Sequence, residues 1–510
     1  MENNDVVQTF NYHTHTRRCG HAGLDGDAEY VKAAREAGIS QLGFSDHVPL
    51  TEYEFQDVNQ QMHVSDMDEY IKSIRQLQQD YPDMEILCGL EAEYTPMKEQ
   101  YLGDLRKRLD YMILGQHYTP VGAGVMPSSQ YPVTSNYPIL YAGVVIQAMR
   151  TGMFDIVAHP DIFMEYRDKF NSPDDKKEFL VNAVKASEMI CEAALSLGIP
   201  LELNFGPASQ KKRLEDGQLA YPHSIFWEVV AKKQVPVMFG VDAHNPKQFL
   251  QMKQSLAEIE RFIDIRKLNL VERYNPLVAR NSNPELDRLF KESLANSSTY
   301  ETNFAEFVTS MISGRIDGQN LTIGDLPMIS EQMLKGFLSG KKNTAVSLVG
   351  NFQQKMQEIV SNPHLSEEEK DYLIRRERDA AENHTLTYES LNALVTSIHH
   401  SIEQAVGMGC KTKEEVIERV SQLTELENTD NQLKKDEINQ ELEEKQLDNN
   451  DPTLTNEAKG PVLKYKPNNK NNPYGSPGFI TMTYLLIILA LLIGIIIGVG
   501  YAFYKINGWF

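Results

Sequence analysis

Seven of the nine histidines before residue 250 stand at the ends of short apolar runs. In H-T-H, His13 and His15 are two residues apart, so on an extended chain both side chains leave the same face. His21 follows in R-R-C-G-H-A. S-D-H presents His47, G-L-E presents Glu91, G-Q-H presents His117 and A-H-P presents His159; V-D-A-H presents Asp242 and His244, again two apart. A lone histidine on an apolar strand is most often a hydrogen-bonded core residue. Seven at equivalent strand ends, joined by two carboxylates, need another account, because crowded imidazoles and carboxylates repel or stay desolvated unless cations lie among them. Imidazole with carboxylate suits zinc, manganese or iron rather than magnesium or calcium, and nine ligands exceed one tetrahedral site. Two to three divalent transition-metal ions are therefore expected. Such clusters clamp the attacking and leaving oxygens of an in-line displacement at phosphorus, with a metal-bridging hydroxide as nucleophile. Phosphoester hydrolysis is the chemistry expected, and amide or lactone hydrolysis by a binuclear barrel is the rival.

The elements that must carry these residues are legible as alternation. Strand-like runs are VVQTFNYHTH, QLGFSDH, MEILCGLEAEY, YMILGQHY, FDIVAHP, PLELNFG and VPVMFGVDAH. Between most of them lie amphipathic stretches, such as Ala28 to Ala37 and Lys177 to Leu197, with apolar residues at three- and four-residue spacing. Such alternation predicts an α/β fold with a parallel sheet, and seven strands suggest a closed or nearly closed barrel. Every polar cluster sits at the C-terminal end of its run, where a β/α barrel gathers its loops into a site.

Taken in order, H-T-H-T-x-x-C-G-H-A, G-F-S-D-H-x-P, G-L-E-A-E, Q-H-Y and V-D-A-H resemble the PHP superfamily, and within it the histidinol-phosphatase branch, over about residues 8–265. The resemblance implies a distorted (β/α)7 barrel with a trinuclear cluster. By motif position His13, His15, Glu91 and Asp242 would hold one metal; His21, His47 and His244 a second; and Glu91 (bridging), His117 and His159 a third. Asp46, beside His47, would be a supporting residue or proton carrier, and with Asp242 and His244 makes the candidate catalytic set. A cap on the following turn is the alternative role for Asp46. A phosphate monoester also needs a cationic clamp. Arg17 and Arg18, between His15 and His21, and Lys211, Lys212 and Arg213, after N-F-G, are the candidates. The expected activity is that of a histidinol-phosphatase-like phosphomonoesterase acting on a small phosphorylated substrate. Alternatives are a phosphatase or phosphodiesterase for another phosphorylated metabolite, nucleotide or phosphotyrosine protein, and a membrane-tethered scaffold.

The rest of the chain reads differently. The barrel is expected over residues 1–275, and a helical region of unassigned role, with a protein partner as one use for it, over 285–425. There Ala345, Val349, Phe352, Met356 and Ile359 form one apolar stripe, and Leu391, Leu394, Ile398, Ile402 and Val406 another; stripes of this kind usually form a bundle core. Residues 426–478 are polar, then rich in Pro and Gly, and are expected to be a disordered linker. Ile480 to Tyr504 carries no charge over 25 residues, enough to span a bilayer. Lys459, Lys464, Lys466 and Lys470 precede it and Lys505 follows, which predicts a single-pass, tail-anchored protein with its catalytic domain cytoplasmic. No signal peptide is expected at MENNDVVQTF. The formal charge of −21 argues against a nucleic-acid partner. Cys19, Cys88, Cys191 and Cys410 show no C-x-x-C spacing and fit a reducing compartment. Cys19 reads as packing, His399 and His400 as surface residues, His63 as isolated, and His223 as a rim residue able to touch substrate.

Overall fold

Short apolar runs become strands here because each must be covered on both faces. The computed structural model describes residues 8–49, 61–121, 124–128, 133–298, 300–317, 319–333, 335 and 355–427. Eight strands form one parallel sheet in the order β1 (Phe10–Asn11), β2 (Gln41–Phe44), β3 (Glu85–Ala92), β4 (Tyr111–Leu114), β7 (Ile156–Val157), β8 (Leu201–Asn204), β9 (Pro236–Gly240) and β10 (Asn269–Leu270). The seven expected runs are all present. The eighth strand, β10, adds beside β9. Between β4 and β7 an antiparallel hairpin, β5 (Tyr118–Val121) and β6 (Gly124–Pro127), follows His117 directly.

The sheet curls toward closure. Beyond the ends of β1 and β9, Thr14 bridges Ala243 in parallel, with His15 N–H donating to the Ala243 carbonyl at 2.8 Å and Ala243 N–H to the His13 carbonyl at 3.3 Å. A second bridge, His47 to Glu91, continues the β2–β3 pairing past the strands. Ligand-bearing segments are thus locked to one another by their own backbones.

Strand alternation sorts side chains between two cores. Leu42, Cys88, Leu90, Met112, Val157, Leu203 and Phe239 face the surrounding helices. Leu87, Tyr111, Ile113, Ile156 and Met238 pack with Phe10 and Tyr12 on the opposite, inner face. Glu91 shares the parity of Leu87, and Glu202 is in register with Met238, so both carboxylates lie on the inner face. The helix Pro173–Leu197 shows the local logic of the outer layer: Ser172 caps Asp175 N–H, Pro173 and two aspartates occupy the first turn, and Gly198 ends it at φ 67°.

The barrel extends further than expected. The helix Pro284–Asn296, at the start of the expected helical region, buries Leu286 in the barrel core and packs Leu289, Phe290 and Leu294 against it. Its stripe is amphipathic, and sequence periodicity does not say which core receives it. A separate helical core then gathers Phe304, Val308, Ile312, Val395, Ile398, Ile402, Val416 and Val420, with Leu394 and Val406 at its edge. Of the expected stripe Leu391–Leu394–Ile398–Ile402–Val406, the last four belong to this core, and the Leu391 side chain lies outside those described. Its central element is the long helix Glu367–Gly407, started by a capping box between Ser366 and Glu369. Ala345, Val349 and Phe352, the linker from residue 428 onward and the Ile480 to Tyr504 span lie outside the described residues. Among the described residues no helix is long and apolar enough to cross a membrane.

Candidate metal centre

All nine expected ligands meet at the C-terminal end of the strands. Glu91 is the hub. Its Oε2 lies 3.4 Å from His13 Nε2, 3.3 Å from His15 Nε2 and 3.0 Å from His47 Nδ1. Its Oε1 lies 2.8 Å from His159 Nε2 and 3.8 Å from His117 Nε2. Asp242 Oδ1 stands 3.4 Å from His13 Nε2 and 3.2 Å from His15 Nε2, and those two nitrogens are 3.1 Å apart. At the other end, His21 and His244 bring their Nε2 atoms to 2.9 Å.

These distances test the metal expectation. Ligands about 2.0–2.1 Å from a tetrahedral ion lie about 3.3–3.4 Å from one another. The His13, His15, Glu91 and Asp242 atoms have that spacing, and the two imidazoles meet at 3.1 Å. Glu91 Oε2 is buried and accepts no hydrogen bond, and the Nδ1 atoms of His15 and His159 are likewise unpartnered. A buried carboxylate oxygen ringed by imidazole nitrogens, and bonded to none, fits a site for cations. His15, His47 and His244 also present nitrogens within 4.8 Å of one another. His47 therefore stands between the Glu91 hub and the His21–His244 pair.

The imidazoles are held by partners on their far nitrogens. Glu202 Oε1 takes His13 Nδ1 at 2.8 Å, and Glu93 Oε1 takes His117 Nδ1 at 2.8 Å. The Cys19 carbonyl lies 3.3 Å from His21 Nδ1, and the Asp242 carbonyl 3.0 Å from His244 Nδ1. Such contacts fix the tautomer and aim Nε2 inward. Sequence reading missed Glu202 and Glu93. A signal existed for both: Glu93 stands two residues from Glu91, as His13 does from His15, and Glu202 interrupts the apolar run L-E-L with a charge that needs a partner.

Charge follows the same geometry. Burial opposes ionisation of Glu91, but His47, His13 and His117 outweigh it and hold the carboxyl well below its ordinary range. For Asp242 burial is likewise outweighed, by His13, His15 and His244. Two ligands sit in strained backbone, His159 at φ 28° and Asp242 at φ 51°. A non-glycine residue there costs about 1–3 kcal/mol and persists where surroundings over-determine it. Here His159 N–H donates to Glu202 Oε2 at 3.0 Å, and Asn204 holds Asp242 Oδ2 at 3.3 Å.

The other candidates are placed less as expected. Asp46 is fully buried, bonded by the Thr16 N–H at 2.6 Å and by its hydroxyl, and its Oδ1 is 4.0 Å from His15 Nδ1. Burial pushes its carboxyl up to about 7. It stands behind His15 and is not among the residues lining the cavity, a placement that suits a support for the His15 loop. Arg18 is buried and forks onto Asp27 at 2.8 and 2.9 Å, reaching Glu69 as well. Arg17 lies over the Tyr372 ring at 4.5 Å. Arg213 pairs with Glu258 and the Gly217 carbonyl. Each of these three was expected to bind phosphate, and each is committed elsewhere; a planar guanidinium finds protein acceptors as readily as phosphate. Lys212 does line the cavity, while Lys211 is exposed beside it. His223 is buried, caps the helix Ser224–Lys233 and stands 3.2 Å from Arg167, so it does not reach the rim. Cys19 is buried, and burial with Asp46 nearby pushes its thiol up; all four cysteines are free.

The centre opens into a cavity of about 490 Å³. His21, His47, Glu91, His117, Asp242 and His244 form its floor, and Lys212, Glu165, Tyr137, Tyr166 and Tyr221 its walls. That volume suits a small organic molecule.

Comparison with known proteins gives the following similarities. Residues 11–196 match the PHP domain family. A "Probable histidinol-phosphatase" of Deinococcus radiodurans is 29% identical over 243 residues, covering 46% of this chain and 85% of that protein. Among solved structures, a "putative histidinol phosphatase" from Listeria monocytogenes aligns at 18% identity and TM-score 0.39, over 47% of this chain and 96% of that one. Histidinol phosphate phosphatase from Lactococcus lactis, in complex with zinc, L-histidinol and phosphate, aligns at 14% identity and TM-score 0.38, over 53% and 98%.

Proposed function

We propose that the barrel, whose residues 11–196 match the PHP domain family and which is similar to a probable histidinol-phosphatase, is a hydrolase of phosphoric esters that cleaves a small phosphomonoester, with histidinol phosphate as first choice. The observation that carries this reading is the gathering of seven imidazoles with Glu91 and Asp242, six of these nine residues lining one small cavity. His13, His15, Glu91 and Asp242 would hold one ion; His21, His244 and His47 a second; His117 and His159, with Glu91, a third. Zinc, manganese or iron suits this donor set. Bound ions would supply Lewis acidity toward the phosphoryl oxygens and an activated water for in-line displacement.

The chain's own residues do the rest. Glu202 and Glu93 hold His13 and His117 in orientation. Lys212 offers the cavity a cation for the phosphoryl group. Glu165, with Tyr137, Tyr166 and Tyr221, gives the organic half of the substrate an anionic and aromatic wall. That wall favours a substrate carrying a cation or an imidazole ring, as histidinol phosphate does. The charge-free Ile480 to Tyr504 segment supports a membrane anchor with the barrel on the cytoplasmic side, and the helical core supports a surface for a protein partner.

The test is a panel of initial rates for the full-length, metal-loaded protein on histidinol phosphate, an aryl phosphate, nucleotides and a phosphotyrosine peptide. The expected result is a kcat/KM for histidinol phosphate well above the others. Hydrolysis no faster than that of the aryl phosphate would remove histidinol phosphate, and no phosphoester turnover at all would remove the enzyme reading.

A further inference from the structure

His21 is the most exposed of the nine ligands. It stands on a rim turn, where His13, His15, Glu91 and His159 are sealed in the barrel. Its position is set by the 3-10 turn Arg17–Cys19, which Gly20 ends at φ 86°, and by the Cys19 carbonyl beside its Nδ1. Three residues of rim loop do not hold a ligand well by themselves, since a short turn gains little from burial.

The support comes from outside the barrel. The first turns of the helix Glu367–Gly407 lie across this loop. Arg376 donates from one guanidinium nitrogen to the Arg17 carbonyl at 3.0 Å and the Arg18 carbonyl at 3.4 Å, and from another to the Gln61 carbonyl at 3.5 Å. Tyr372 donates its hydroxyl to the same Arg17 carbonyl at 3.1 Å, and Arg17 lies over its ring. Arg376 is only 8% exposed and takes no carboxylate partner among the described residues. A buried guanidinium whose described partners are all backbone carbonyls is costly unless it fixes those carbonyls. It spans two cavity-rim segments at once: the turn leading to His21, and Gln61, which itself lines the cavity.

We propose that Arg376, seconded by Tyr372, is a positioning residue for the metal centre, clasping the turn that carries His21 so that metal binding at the His21–His244 end depends on a helix of the helical region. This rests on the metal reading above. It gives that region a role the barrel alone does not supply.

The experiment uses the full-length protein. Metal content is measured after gel filtration, and metal affinity by chelator competition, for wild type, Arg376→Ala, Arg376→Lys and Tyr372→Phe. Arg376→Ala is expected to lose one equivalent of metal, or to bind its weakest ion about 10–100-fold less tightly, the usual effect of losing an outer-shell support. Arg376→Lys falls between, because one ammonium does not span three carbonyls as a fork does. Tyr372→Phe removes one bond, keeps the ring under Arg17, and shows a smaller loss in the same direction; it carries the test if Arg376→Ala fails to fold. A cycle with His21→Ala separates positioning from general destabilisation: if Arg376 acts through His21, the double variant is no worse than His21→Ala alone. Wild-type stoichiometry and affinity in the arginine variants, or losses that simply add to that of His21→Ala, would overturn the clasp. A wild-type protein that binds no transition metal would overturn the metal reading, and the clasp with it.

Discussion

Adding one methyl group at Gly115 should disable the centre while leaving the fold standing. Gly115 follows β4, and its Cα faces the hub carboxylate so closely that a Cβ would stand 1.8 Å from Glu91 Oε1 and 2.4 Å from its carboxyl carbon. Ordinary contact begins at 3.4 Å, so Glu91 must retreat by about 1.6 Å. Glu91 is buried, with His159 Nε2 at 2.8 Å on one oxygen and His47 Nδ1 at 3.0 Å on the other, and it has nowhere to go without leaving them. Metal ligands tolerate about 0.2 Å, and a misplacement of about 1 Å costs roughly 100-fold in rate. Gly115→Ala is therefore expected to lower kcat/KM at least 100-fold and to lose metal. Overpacking costs only about 1–3 kcal/mol, so the protein stays folded with its thermal transition lowered by a few degrees. The assay is metal content and phosphomonoester turnover beside circular dichroism. Gly143→Ala is the control: it lies in the helix Tyr137–Arg150 with nothing within 4 Å of its Cβ, and should gain about 0.5–1 kcal/mol with activity unchanged. A Gly115→Ala protein with full metal content and turnover would refute Glu91 as the hub.

Three further outcomes are expected. Glu202→Gln keeps the shape but loses the charge against His13 and one acceptor needed by the His159 N–H and Asn204; metal affinity by chelator competition should fall about 10–100-fold. Arg18→Ala leaves Asp27 buried with Ser73 as its remaining hydrogen-bond partner among the described residues, and chemical denaturation should show a loss of about 3–5 kcal/mol, so that stability is the property chiefly affected. Lys212→Ala, at an exposed position on the cavity wall, should do the reverse, raising KM about tenfold, worth about 1.4 kcal/mol, with stability unchanged.

The candidate ligand set was legible because its chemistry repeats. Two pairs spaced two residues apart and four single residues, each closing an apolar run, with His21 in the loop after the first pair, cannot be scattered by any parallel α/β sheet, whose strand ends lie together. The supports were less legible, since Glu202 and Glu93 look like ordinary acids until the sheet turns them inward beside His13 and His117. Arginines were the poorest guide. Arg17, Arg18 and Arg213 sit in the right loops, but sequence position does not say which way a long side chain turns, and Asp27, Tyr372 and Glu258 claimed them. The helical stripe at Ile398 and Ile402 was readable by its period. The attachment of Pro284–Asn296 to the barrel was not, because an amphipathic helix announces that it needs a core and not which one.

The fates of Arg17 and Arg18 bear on how the centre handles its substrate. Both flank the loop between His15 and His21, and both are spent on that loop's shape: Arg18 inward to Asp27, Arg17 outward under the Arg376 and Tyr372 clasp. Among the expected cations only Lys212 is left facing the cavity. A phosphomonoester brings nearly two negative charges, which one lysine does not balance, so on the proposed reading ions held by the nine candidate ligands would bear most of the phosphoryl charge. On that account loss of the most exposed ligand, His21, weakens substrate binding and turnover together. A helix that holds the His21 turn from outside the barrel thus acts on the part of the centre with least support of its own.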